Sequence, residues 1–330
     1  MPPRTSFTTK LDPVQRQKLR DVLRAGNYTA LPLPAYAAAA AEGDRCKIIL
    51  YESGSCVIQG KGTEDWITFV LEPEITGVAQ LGYEQVVDPS MTEAHMGVDE
   101  SGKGDFFGPL VIAAAYVDAD LVARLRELNV RDSKTITSDR KAEEMADAIA
   151  RLLGRRFALV KIGPAAYNRL YAKMGSVNRM LAWGHARAIE DLLERVPDCP
   201  RALSDQFGPT RQIERALLQK GRSIKLDQRP KAESDPAVAA ASVLARAGFL
   251  RGLREQEQKY GLPAPKGASP QVKEAARALV RQHGAAALLD TAKCHFKTTD
   301  EVLASEGRSR AELGPLGQHV SQSARKEQAP

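Results

Sequence analysis

Leu110–Val117 reads LVIAAAYV, a continuous apolar run. Such a run fits a strand covered on both faces. Shorter strand candidates are Gly97–Asp99, Phe157–Ile162, Arg201–Asp205 and Ser223–Leu226. Between and after them, apolar residues recur at helical spacing. Ser138–Leu153 carries Met145, Ile149 and Leu152 on one stripe, with Ser138 placed to cap it. Leu121–Leu128, Asn178–Val196, Asp235–Tyr260 and Pro270–His283 are further helix candidates. Strands alternating with helices predict an α/β architecture, a central sheet covered by helices.

The first part of the chain is patterned differently. Val14, Leu19, Val22 and Leu23 predict a helix ending near Gly26. Ala37–Ala41 suits either helix or linker. Cys46–Tyr51 and Cys56–Gly60, joined by Glu52-Ser53-Gly54-Ser55, predict a β-hairpin, with a helix following over Asp65–Leu71. This makes a small α+β module. Pro73–Pro89, with its glycines and scattered acids, marks the way out of it. We expect an N-terminal domain over 1–85, a linker over 86–92, a larger domain over 93–305, and a disordered polar tail over 306–330.

Composition adds little to this division. The 330 residues are 43% hydrophobic and 27% charged, ordinary values for a globular protein with a sizeable core. The formal net charge of +6 is compatible with a polyanionic partner without requiring one. Cys46, Cys56, Cys199 and Cys294 are too scattered for a zinc site or a disulfide framework. The first residues lack the apolar core of a signal peptide, and no run approaches the roughly 20 apolar residues of a membrane span. A cytoplasmic location away from membranes is the expectation.

The candidate chemistry lies where strands end. Asp99 and Glu100 close one strand candidate and Asp205 closes another. Glu233 stands just before a helix that opens with small residues, Ala237–Ala241. One aspartate at a strand end is usually a turn former or cap. Asp235, directly before Pro236, reads as such a cap, which leaves Glu233 the better ligand candidate. Several carboxylates converging at strand ends make an oxygen site for hard divalent cations such as Mg²⁺ or Mn²⁺. Two such ions about 3.5–4 Å apart clamp the attacking and leaving oxygens of a phosphodiester displacement. Gly102-Lys103-Gly104 lacks P-loop spacing. Its glycines let backbone approach a sugar-phosphate, and Lys103 would meet a phosphate. Asp132-Ser133-Lys134 is a second polar cluster, which a solvated loop would also explain. Lys225, Arg229 and Lys231 suit phosphate contacts or a solvated face equally. His185 reads as a core or surface histidine, and no Ser/His/Asp arrangement is visible.

Taken in order, these segments resemble the type 2 ribonucleases H over roughly residues 93–300. Asp99 through Leu110, DESGKGDFFGPL, is similar to the family's first motif in the ribonuclease HIII form; the HII form usually has arginine where Lys103 stands. Asp132-Ser133-Lys134 resembles the second motif. Tyr167-Asn168 and Asn178–His185 resemble its middle helices. Asp205-Gln206-Phe207 and Glu233–Arg246 resemble the segments that carry the third and fourth acids. Leu262–Ala268 and His295–Thr299 resemble later segments. The resemblance implies a ribonuclease H-like fold, with an N-terminal domain like the TATA-box-binding protein. It implies two-metal hydrolysis of the RNA strand of RNA/DNA hybrids, giving 5′-phosphate and 3′-hydroxyl ends, with Asp99, Glu100, Asp205 and Glu233 as metal ligands. It also implies substrate contacts from Gly102, Lys103 and Gly104, whose backbone would read ribose 2′-hydroxyls, and from Ser133 and Lys134. A monomer is expected. The alternatives are HII-type incision at single embedded ribonucleotides and hybrid binding without catalysis.

Overall fold

The computed structural model describes residues 5–77, 89–130, 136, 138–205, 211–217, 224–229 and 232–320. The chain divides into two compact units, Met1–Met91 and Thr92–Pro330.

In the first unit, β1 (Ser6–Lys10) leads into helix α1 (Pro13–Ala25). Asp12 caps that helix by accepting from Gln15 N, and the Gln15 side chain accepts from Asp12 N in return. Strands β2 (Thr29–Ala30), β3 (Ala37–Gly43), β4 (Cys46–Tyr51) and β5 (Ser55–Gly60) follow. Helix α2 (Thr63–Trp66) then runs into a wider helical stretch, Ile67–Thr76. The strands form an antiparallel sheet in the order β1-β5-β4-β3-β2. The predicted hairpin is β4–β5. Ala37–Ala41, for which helix or linker was expected, is instead the strand β3, with Ala40 and Ala41 paired to Ile49 and Ile48. Pairing against an apolar strand outweighs alanine's intrinsic helix preference. One sheet face packs Ile48, Leu50, Cys56 and Ile58 against Leu19, Trp66, Ile67 and Leu71. The opposite face carries Thr8, Lys47 and Gln59, all exposed.

The second unit is α/β, as expected. Its elements are β6 (His95–Ser101), β7 (Leu110–Val117), α3 (Ala119–Glu127), α4 (Asp139–Leu153), β8 (Phe157–Ile162), α5 (Pro164–Met174), α6 (Val177–Leu193), β9 (Arg201–Asp205), α7 (Arg211–Ala216), β10 (Lys225–Arg229), α8 (Pro236–Tyr260), α9 (Pro270–His283), α10 (Ala287–Thr291) and α11 (Lys297–Ser305). The sheet order is β10-β9-β6-β7-β8. Strands β6, β9 and β10 are parallel, while β7 and β8 join antiparallel. Strand β7 explains its own apolar run. Val111, Ala113 and Ala115 face a core built with α4, α8 and α9, while Leu110, Ile112 and Ala114 face a core built with α5 and α6. Helix α8 lies directly on β6. A Cβ at Gly97 would sit 2.1 Å from Val238 N, so the close approach requires glycine there.

The polar tail does not begin at residue 306. Ser309 and Glu312 form a capping box around a short 3₁₀ helix, Arg310–Leu313. Leu313 is buried, and Arg310 donates to Cys294 O at 2.8 Å and pairs with Asp300. One leucine and one arginine anchor this segment, a signal too small to register in its composition. Residues 321–330 lie outside the described residues.

Candidate active site

Three predicted acids converge at one edge of the second sheet. Strands β6 and β9 run parallel, with Met96, Gly97 and Val98 opposite Ala202, Leu203 and Ser204. The next residue on each strand is Asp99 and Asp205. Both line a cleft of about 490 Å³ with Glu100, Gly102, Lys103, Gly104, Asp105 and Ser242. The edge lies beyond the carboxyl ends of parallel strands, where neighbouring connections part, and α/β sheets bind ligands in such crevices.

Asp99 is partly buried. One of its oxygens accepts from Glu100 N at 2.8 Å. Burial, and then the Glu100 charge, push its pKa up to about 6, against the pull of the Ser242 hydrogen bond. Glu100 sits beside the histidine that sequence reasoning set aside: His185 Nε2 lies 3.0 Å from Glu100 Oε2. Lys103 Nζ lies 3.7 Å from the other oxygen. Burial works to raise the Glu100 pKa, yet His185 and Lys103 together hold it below the usual carboxylate range. The two adjacent carboxyls are therefore tuned in opposite directions. A signal for His185 was present in the sequence: on α6 it stands in the stripe Leu181, His185, Ile189, Leu192, all buried. Ser242 was also missed. Its signal is its place among small residues on the face of α8 that packs on β6.

Asp205 accepts from Ala232 N at 3.3 Å, which ties the strand end to the 3₁₀ turn Ala232–Ser234. Glu233 belongs to that turn, and its side chain lies outside the described residues. Asp235 is the expected cap, accepting from Ala237 N and Val238 N. It also pairs with His95 at 2.9 Å, both side chains almost wholly buried. His95 Nδ1 meets Glu93 O at 2.7 Å. A histidine between a carbonyl and a carboxylate thus locks the start of β6 to the start of α8.

The Gly102-Lys103-Gly104 turn divides its labour. Gly102 has φ +90°, and a Cβ there would lie 2.2 Å from Pro109 O. Gly104 has a negative φ, and its Cβ would meet nothing within 4 Å. Folding thus requires glycine at 102 but not at 104. Ser133 and Lys134 lie outside the described residues, as does Lys231. Lys225 pairs with Asp227 at 3.5 Å.

Among the described residues, no group of three or more His, Cys, Asp or Glu side chains is gathered tightly enough to hold an ion alone. Asp99, Glu100 and Asp205 form an open set of oxygen donors lining one cleft. That chemistry fits Mg²⁺ or Mn²⁺, which keep waters and take few carboxylates, and does not suit a closed zinc site.

The family model described as ribonuclease HII matches residues 96–299. A ribonuclease HIII of Protochlamydia amoebophila is 39% identical over 302 residues, covering 92% of this chain and 98% of that one. A ribonuclease HIII of Chlamydia pneumoniae is 40% identical over 305 residues, covering 92% and 99%. Among solved structures, that of Bst-RNase HIII in complex with Mn²⁺ superposes with a TM-score of 0.63 at 30% identity, covering 91% of this chain and 99% of that chain. The chain belongs to the ribonuclease HII family, in its ribonuclease HIII branch.

Proposed function

We propose that the chain is an endoribonuclease that hydrolyses the RNA strand of RNA/DNA hybrids, leaving 5′-phosphate and 3′-hydroxyl ends. The observation that carries this is the meeting of Asp99, Glu100 and Asp205 in one cleft with the Gly102-Lys103-Gly104 backbone. Asp99, Glu100, Asp205 and Glu233 would hold two Mg²⁺ or Mn²⁺ ions, whose chemistry there would be to lower the pKa of a bound water and offset charge on the attacking and leaving oxygens. The chain's own residues prepare the site. His185 and Lys103 keep Glu100 ionised and oriented. Asp99 stays anchored to Glu100 N and Ser242. Gly104 leaves room for a ribose against the backbone, where a 2′-hydroxyl distinguishes RNA from DNA. Lys103, with Ser133 and Lys134, meets phosphates.

The N-terminal unit, the domain proposed over 1–85, adds affinity for the hybrid through shape and backbone charge, without reading sequence. Lys47 and Gln59, on its exposed sheet face, suit that role. No helix of the described residues is long and apolar enough to cross a membrane. A cytoplasmic monomer is our reading. All four cysteines are free and buried, and every acid assigned to the site comes from one chain.

Cleavage of a long hybrid against a duplex bearing one ribonucleotide tests the reading. Strong preference for the long hybrid is expected. Equal efficiency on both assigns HII-type incision instead, and binding without metal-dependent cleavage assigns a non-catalytic hybrid binder.

A further inference from the structure

Lys293 is fully buried, yet it is one of the largest side chains in the interior. Its ammonium meets carbonyl oxygens rather than a carboxylate: Asp105 O and Gly108 O at 2.8 Å, and Phe107 O at 3.2 Å. Lysine has three donors and no acceptor, so these carbonyls use its whole capacity. Burial pushes its pKa down to about 7, against the pull of the nearby Asp105 charge. A charge is a costly way to fill an interior. What it accomplishes here is to draw three carbonyls of one loop onto one point.

That loop begins at the candidate site. Gly102, Lys103, Gly104 and Asp105 line the cleft, and Asp105 is also the first carbonyl held by Lys293. The backbone adds a short antiparallel bridge, with Lys293 N donating to Phe106 O at 2.8 Å and Gly108 N to Thr291 O at 3.1 Å. The segment carrying Lys293 is itself fixed. Buried Asn168 donates to Leu289 O and Ala292 O and accepts from Cys294 N. On the other side, Arg310 donates to Cys294 O and Phe296 O. Contacts therefore run from the C-terminal 3₁₀ helix, through Lys293, to the backbone beside Gly104.

We propose that Lys293 is a positioning residue for substrate selection: it holds the Asp105–Gly108 loop and so sets the geometry in which the Gly102–Gly104 backbone meets a ribose. This rests on the reading of that backbone given under the proposed function. Lys293 touches no substrate and acts only through the loop.

The test uses the full chain with Lys293→Met and Lys293→Arg, in buffer with EDTA so that no cleavage occurs. Amide exchange over 102–108 reports the loop. Affinity for a hybrid relative to an all-DNA duplex of the same sequence reports selection. In Lys293→Met, exchange rises in the loop but not along β6 and β7. The preference for the hybrid falls about tenfold, the equivalent of one hydrogen bond's ~1.4 kcal/mol. With Mg²⁺ restored, KM for the hybrid rises more than kcat falls, and Lys293→Arg recovers part of each effect. Unchanged loop exchange overturns the proposal. Faster exchange with an unchanged preference overturns it too, and Gly104→Ala in the same binding assay then shows where the fault lies. If Gly104→Ala lowers the preference, the role of Lys293 alone is wrong; if it does not, the ribose-facing reading is wrong. Should Lys293→Met fail to fold in a thermal melt, Arg310→Ala loosens the same segment from the surface and is judged by the same two readouts.

Discussion

Replacing Asp99 with asparagine should make the metal-free protein more stable while abolishing cleavage. The carboxyl's folded pKa is about 6, raised from 3.8 chiefly by burial and then by Glu100. A raised pKa means that the fold prefers the protonated form. Asp99 therefore contributes most to stability below about pH 4, and that contribution is lost as pH rises through about 6. At ~1.4 kcal/mol per pKa unit, the neutral-pH penalty is at most ~3 kcal/mol. Asparagine keeps an oxygen to accept from Glu100 N, as Asp99 does at 2.8 Å. It removes the charge and also weakens the Ser242 bond, so a gain of ~2 kcal/mol is expected. The assay is urea unfolding in EDTA, followed by fluorescence, in which Trp183 reports the second unit and Trp66 the first. At pH 7.5 the variant's second unit should unfold later by that margin. Near pH 4 the two proteins should converge, because Asp99 is then protonated. Mn²⁺ should stabilise the parent and have little effect on the variant. A variant equal to or weaker than the parent at pH 7.5, or a margin that does not shrink with acid, refutes the burial argument.

The two glycines of the turn should separate cleanly. Gly102→Ala should cost ~2–3 kcal/mol in a urea melt, through its positive φ and the approach to Pro109 O. Gly104→Ala should melt like the parent but bind hybrid less well in a fluorescence-anisotropy titration. His95→Ala leaves the Asp235 carboxylate buried without its partner, and should lower the stability of the second unit by ~3 kcal/mol in the same melt. Deleting residues 1–85 should raise KM for the hybrid more than it lowers kcat; unchanged affinity would leave the N-terminal unit as an appendage.

The strands of the second unit were legible because burial on both faces writes itself as continuous apolar sequence, as in Leu110–Val117. Ser138, Asp235 and Pro236 announced their helix starts through cap chemistry. Strand β1 was not legible, since SFTTK offers one apolar side chain and owes its pairing to β5. Ala37–Ala41 was ambiguous because its conformation is decided by β4 rather than by alanine. At the site, Asp99, Glu100 and Asp205 stood out by their places at strand ends, and their grouping as ligands came from the family resemblance. The apolar stripe of α6 marks His185 as interior, but not its pairing with Glu100, 85 positions away. Lys293 was invisible for the same reason: its partners at 105–108 are remote in sequence. The anchoring of Arg310 depends on contacts with 294–300 that composition does not record.

The central claim is that four carboxylates form one metal-dependent nuclease site. It is tested most directly by titrating Mg²⁺ and Mn²⁺ into hybrid cleavage by the parent and by Asp99→Asn, Glu100→Gln, Asp205→Asn and Glu233→Gln. The account predicts saturable, metal-dependent cleavage by the parent and a loss of at least about 10²-fold in each variant, the scale on which removing one transition-state-stabilising group is felt. Metal-dependent cleavage that survives intact in Asp99→Asn would contradict it.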